Sequence, residues 1–127
     1  MRVIVDGNNV MGSRPDGWWR DRAGAAKRLV AQLGTWAVAG GTDVLVFFDG
    51  APPDDLRAPD RVEVRFARRS GRDAADDDIV AYVAASPAPE SLRVITSDAE
   101  LARRVRAHGA DVRGARSLLD ELSPFLQ

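Results

Sequence analysis

The stretch Val44-Leu45-Val46-Phe47-Phe48-Asp49-Gly50 decides the fold class. Its five consecutive apolar residues are too few for a core helix and do not alternate with polar ones, which describes a strand covered on both faces. Such strands belong to parallel sheets, whose crossover helices clothe both sides. The run stops at Asp49-Gly50, a turn-forming pair. Upstream, Ala26, Leu29, Val30, Leu33 and Ala37 recur at helical spacing and predict a helix over about residues 21–39, with Gly40-Gly41 as its stop. Before that helix, Met1-Arg2-Val3-Ile4-Val5 reads as a short strand halted by the turn-forming cluster Asp6-Gly7-Asn8-Asn9.

Downstream, Pro52, Pro53 and Pro59 mark a loop. Arg61-Val62-Glu63-Val64-Arg65-Phe66 then alternates with period two, as an edge strand with one wet face does. A helix is expected over about residues 73–85, and Leu92-Arg93-Val94-Ile95 is the next strand, ending at Thr96-Ser97-Asp98. Ser97 and Glu100 have capping-box spacing, which predicts that Ser97 caps a helix running to His108 and stopping at Gly109. Ala110-Asp111-Val112-Arg113 is a last strand, and residues 118–122 a last helix. The order β-α-β-β-α-β-α-β-α implies a three-layer α/β/α, Rossmann-like sandwich, with helices on both faces of a mostly parallel sheet of about five strands. At 127 residues the chain fits one domain, residues 1–127.

Composition removes several classes of function. There is no cysteine, which excludes disulfides, thiol catalysis and thiolate metal sites, and the single histidine, His108, excludes His-rich metal sites. No apolar stretch approaches the roughly 20 residues of a membrane span, and MRVIVDGNN is no signal peptide, so a cytoplasmic protein without membrane contact is expected. Eighteen basic against nineteen acidic residues leave a formal charge of −1 and no global field to attract nucleic acid. Any binding surface must come from local arrangement.

Local arrangement favours the acids. In a sheet of this kind ligands bind beyond the carboxyl ends of the strands, where strand order reverses. Asp6, Asp49 and Asp98 each follow a strand and so share one rim. On the helix after residue 73, Ala75, Ile79, Tyr82 and Val83 form the buried stripe. At about 100° per residue, Asp76 lies about 60° from Ile79, at the stripe's boundary, whereas Asp77 lies about 160° away and faces solvent. Carboxylates gathered without compensation repel one another, and a bound divalent cation removes the conflict. With only hard oxygen donors available, Mg²⁺ or Mn²⁺ suits the site, and metal-assisted phosphoryl hydrolysis is the implied chemistry.

Four motifs, Val5-Asp6-Gly7-Asn8-Asn9-Val10, Phe48-Asp49-Gly50, Ala75-Asp76-Asp77-Asp78-Ile79 and Thr96-Ser97-Asp98, stand in the order found in the NYN branch of PIN-like nucleases. Over nearly its whole length the sequence resembles that branch, most closely the YacP-like group. The resemblance implies a PIN-like sandwich, a divalent-metal site and endoribonuclease activity. Carried over by position, Asp6, Asp76 and Asp98 look like the metal-binding acids, and Asn9 like the polar residue that orients Asp6 or a phosphate. Asp77 falls where relatives often carry a second acid, usually glutamate. Asp49 and Asp77 are therefore further candidates for the ion.

The RNA contacts are expected from two places. Arg65, Arg68, Arg69 and Arg72 form the densest basic cluster, next to the acid-bearing helix, and suit backbone phosphates. Trp18 and Trp19, with Arg20 and Arg22, follow the first motif, and an exposed indole there suits stacking on an unpaired base. So compact a chain has little surface for reading a long RNA, and selection is expected from a ribosome, an RNA structure or a partner protein. Competing readings are an RNA-binding module with this fold and weak or no cleavage, and a toxin-type PIN nuclease. A phosphate loop of the G-x-x-x-x-G-K-[ST] kind and a G-x-G-x-x-G turn are both absent, which disfavours nucleotide motors and dinucleotide enzymes.

Overall fold

A computed structural model describes residues 2–67 and 74–125. The chain runs β1 (Arg2–Asp6), α1 (Gly7–Gly12), a short helical turn (Trp18–Arg20), α2 (Arg22–Gly40), β2 (Asp43–Asp49), β3 (Val62–Ala67), α3 (Ala74–Ala85), β4 (Leu92–Ile95), α4 (Ala99–Ala107), β5 (Asp111–Arg113) and α5 (Ala115–Leu122). The five strands form one sheet in the order β3-β2-β1-β4-β5, and every pairing is parallel. Strand order reverses between β1 and β4, because the chain builds outward through β2 to β3 and then returns to the other side of β1. A crevice therefore opens between the carboxyl ends of β1 and β4.

The apolar run Val44 to Phe48 lies in β2, second from the edge, and all five residues are at most 2% exposed. Its side chains alternate between two cores. Val44, Val46 and Phe48 pack with Val10, Leu29, Leu33, Leu118 and Leu122 from α1, α2 and α5. Leu45 and Phe47 pack with Ile79, Val83, Leu101 and Val105 from α3 and α4. Each large aliphatic side chain fully removed from water contributes about 1.5–3 kcal/mol before its entropy cost, so both helical layers are held by the same strand. β3 is the edge, and it carries exposed Glu63 and Arg65, an ion pair at 2.6 Å, as charged edges that resist further pairing do.

Three local expectations are corrected. Asp6-Gly7-Asn8-Asn9 is not a turn, since β1 passes directly into α1 at Gly7. Gly7 serves close approach there: a Cβ on it would stand 2.5 Å from the Phe48 ring and 2.8 Å from the Phe47 carbonyl oxygen. The cap of α4 is Asp98 rather than Ser97, and Glu100 bonds Arg103 rather than reaching back in a capping box. The last helix begins a turn earlier than expected, at Ala115, because its first N–H finds a tertiary acceptor in the Ser97 hydroxyl at 2.8 Å.

Gly34 has a similar role to Gly7, since a Cβ on it would meet Pro59 of the β2–β3 loop at 2.4 Å. That loop, the crossover without a helix, is thereby pressed onto α2. A Gly7→Ala substitution is expected to destabilise the fold by about 1–3 kcal/mol, because the obstacle includes backbone. Urea unfolding checks this, and an unchanged midpoint would mean that α1 can withdraw from β2 freely.

Candidate functional site

The crevice between β1 and β4 is built around one carboxylate. Asp6 ends β1 and is 4% exposed, the only charged residue in the core among the described residues. Its Oδ2 accepts a hydrogen bond from the Thr96 hydroxyl at 2.8 Å. The backbone N–H of Asn9, in the first turn of α1, lies near enough to favour its charged form without forming a cap bond. Thr96 Oγ1 in turn accepts from the Asp98 N–H at 3.1 Å, and Asn9 Oδ1 accepts from the Ser97 N–H at 2.8 Å. Asn9 thus ties α1 to the loop after β4 by its side chain, while its backbone N–H favours the Asp6 charge.

The other two strand-ending acids hold helix termini. Asp98 Oδ1 accepts from the N–H groups of Glu100 and Leu101 at 2.9 and 3.0 Å, as an N-cap does. Asp49 Oδ1 accepts from the Ala75 N–H at 2.9 Å, so the end of β2 holds the start of α3. Asp49 is itself held, its N–H donating to Asn8 Oδ1 at 2.7 Å. These bonds occupy one oxygen each of Asp49 and Asp98.

Burial pushes the Asp6 carboxyl up from 3.8 to about 6, and the charges of Asp98 and Asp49 add to the rise, against the lowering pull of the Thr96 hydroxyl and the Asn9 N–H. The three acids thus share one electrostatic environment. None of them has a lysine or arginine partner among the described residues.

Asp76 follows Ala75, the residue bound by Asp49, and is half-buried in the first turn of α3. Asp77 is exposed and pairs with Arg104 of α4 at 3.0 Å, across the α3–α4 seam. Among the described residues no three carboxylates are gathered tightly enough to form a ready cation cage. The donor chemistry nevertheless suits a hard ion. All the candidate donors are oxygens, Asp6 is buried without a cationic partner among the described residues, and Mg²⁺ binds through one or two carboxylates while keeping several waters.

Arg65 lies on edge strand β3, its guanidinium 5.5 Å from the Tyr82 ring centre and 5.9 Å from that of Phe47, beside an open groove that Asp78 also lines. Arg68, Arg69 and Arg72 fall outside the described residues. Trp18 is half-buried against the α1, α2 and α5 core, whereas Trp19 is exposed. Asn8 and Thr96 belong to two of the four motifs, but no spacing in the sequence marks either as a site residue. The signal for them is a side-chain oxygen within two residues of a strand's end, where neighbouring N–H groups lack partners.

The profile of the YacP-like NYN domain matches residues 3–125. The chain belongs to the YacP-like NYN domain family. This family is part of the PIN-like nuclease superfamily, whose members generally use divalent metals. Among solved structures the NYN domain is similar to Rae1 (YacP) from Bacillus subtilis, with a TM-score of 0.77 at 25% identity, covering 98% of this chain and 74% of that one. A tryptophan-to-leucine mutant of the same protein gives a TM-score of 0.77 and 25% identity, over 97% of this chain and 75% of the other. No curated protein matches significantly.

The raised proton affinity of Asp6 has a sign that can be checked. Between pH 3.8 and about 6 the folded chain holds a proton that the unfolded chain has lost. The stability this gives is fully present below pH 3.8 and is lost as pH rises through about 6. Asp6→Asn retains an acceptor for Thr96 without the buried charge. In EDTA at pH 8 it is expected to be more stable than the parent by up to about 3 kcal/mol, a margin that closes near pH 4. Urea unfolding at both pH values measures it, and a pH-independent difference would show that the Asp6 charge is not the cause.

Proposed function

We propose that this NYN domain is a divalent-cation-dependent endoribonuclease that hydrolyses RNA phosphodiesters with water as the nucleophile. The observation that carries the reading is the Asp6 carboxylate, buried at the point where strand order reverses, beside Asp49 and Asp98 and without a cationic side chain among the described residues. Family membership supports the same chemistry.

Asp6, Asp76 and Asp98 are the proposed ligands of the ion, with Asp49 and Asp77 as further candidates. When bound, Mg²⁺ or Mn²⁺ would supply activation of the attacking water and neutralisation of charge on the phosphate. The rest falls to the chain. Thr96 fixes the orientation of Asp6, and so the direction in which its second oxygen is offered. Asn9 ties α1 to the loop after β4 across the crevice.

A side-chain nucleophile has no support. Among the described residues Ser97 Oγ accepts from the Ala115 N–H, Thr96 Oγ1 is engaged by Asp6 and the Asp98 N–H, and His108, the lone histidine, ends α4 at the opposite end of the sheet. Arg65, with Arg68, Arg69 and Arg72, is proposed to hold backbone phosphates beside the rim. The choice of RNA is assigned to a ribosome, an RNA structure or a partner protein, since the domain offers few side chains for reading sequence.

Cleavage of a labelled, mixed-structure RNA tests the proposal. The parent is expected to cut with Mg²⁺ or Mn²⁺ and not in EDTA. Asp6→Asn and Asp98→Asn should each lose at least about a hundredfold, because a lost ligand costs more than a lost supporting contact. Asparagine caps helices as well as aspartate, so Asp98→Asn removes charge without freeing the start of α4. RNA held equally well in EDTA and left intact under every condition would replace the nuclease with a binding module. Thr96→Val, which keeps the shape and deletes the donor to Asp6, is expected to lower the rate about ten- to a hundredfold, and an unchanged rate would show that Asp6 needs no such support.

A further inference from the structure

Large apolar side chains on a soluble surface are most informative where something cationic stands beside them. Among the described residues the exposed large hydrophobics are Trp19 and Val38, and Trp19 is 57% exposed. Its ring meets that of Trp18 edge-on, with centres 5.9 Å apart and planes at 90°. Trp18 is anchored. It packs on the core shared by α1, α2 and α5, and a Cβ on Gly12 would touch its ring at 3.7 Å. Trp19 therefore projects from a fixed base rather than from a loose loop.

The cations are Arg20, whose guanidinium lies 5.8 Å from the Trp19 ring centre, and Arg22, 5.2 Å from that of Trp18. Neither has a carboxylate partner among the described residues. An exposed aromatic face with uncompensated positive charge at its margin matches a nucleotide, whose base stacks and whose phosphate is anionic.

Topology places this pair at the rim. α2 descends to the amino end of β2, so its first residues stand at the carboxyl end of the sheet, the end that carries Asp6. Its 19 residues span about 28 Å, at least the length of the sheet, and the Trp18–Arg20 turn immediately precedes it. Trp18 and Trp19 thus share a rim with the proposed metal acids.

We propose that Trp19, backed by Trp18 and flanked by Arg20, is a stacking platform for an unpaired base of single-stranded RNA, holding the strand across the rim for cleavage. The assignment rests on the nuclease function proposed above for the choice of RNA. It also implies a preference: bases already stacked in a duplex cannot use the platform.

The test compares the parent, Trp19→Ala and Trp19→Phe for binding to a short unstructured RNA, and to the same RNA as a duplex, by fluorescence polarisation in EDTA. Trp19→Ala should weaken single-strand binding about tenfold, Trp19→Phe should retain most of it, and duplex binding should not change. In the cleavage assay Trp19→Ala should raise KM and leave kcat in place. Equal affinity of the parent and Trp19→Ala for the single strand, or equal loss on the duplex, overturns the platform, and metal-dependent cutting lost in Asp6→Asn would then leave the nuclease standing. Selective loss of single-strand binding with no cutting by the parent supports the platform and removes the nuclease.

Discussion

A single buried charge organises this molecule. The Asp6 carboxylate is placed inside the sheet's carboxyl edge, where among the described residues the Thr96 hydroxyl is its hydrogen-bond donor. Burying an ionised carboxylate on such terms is unfavourable, and the fold tolerates it because β1 is central and cannot retreat. Its neighbours β2 and β4 pair along both sides, and the two helical layers cover both faces. Most of what surrounds the crevice can be understood as holding this group in place. Thr96 bonds it, the Asn9 N–H lies near it, and Ser97, Asp98, Asn8 and Asp49 fix the segments from which those contacts come.

Much of this was legible in the order of residues, because the controlling signals are local. The uninterrupted run Val44 to Phe48 announces a strand with no wet face, and the acid after each of three strands follows from where the apolar runs stop. The wheel drawn on Ile79 turns Asp77 outward and Asp76 to the boundary, and the structure has Asp77 exposed and Asp76 half-buried. A solvent-facing stripe on a helix is a property of spacing, which a sequence states directly.

The features that escaped depend on partners far along the chain. A turn-forming cluster after β1 becomes the helix α1 because Asn8 and Asn9 spend their side chains on Asp49 and Ser97, 41 and 88 residues away. Ser97 looks like a local cap through its spacing to Glu100, yet its hydroxyl serves Ala115, and Asp98 takes the cap. Propensity describes which neighbouring N–H a short polar side chain can reach, and at this rim the nearest N–H in space belongs to another element. For the same reason the start of α5 at Ala115 has no local signal.

Asp49 and Asp98 hold the first turns of α3 and α4, as Ser97 holds that of α5. The rim is therefore part of the folding apparatus as well as of the crevice. Selection for a stable domain would preserve these side chains even in a chain with no chemistry at the rim. In chains of this architecture an aspartate surviving at either position testifies first to an intact helix start. The mark that sets Asp6 apart is its burial, a cost to the fold that the Thr96 hydroxyl and the start of α1 only partly offset.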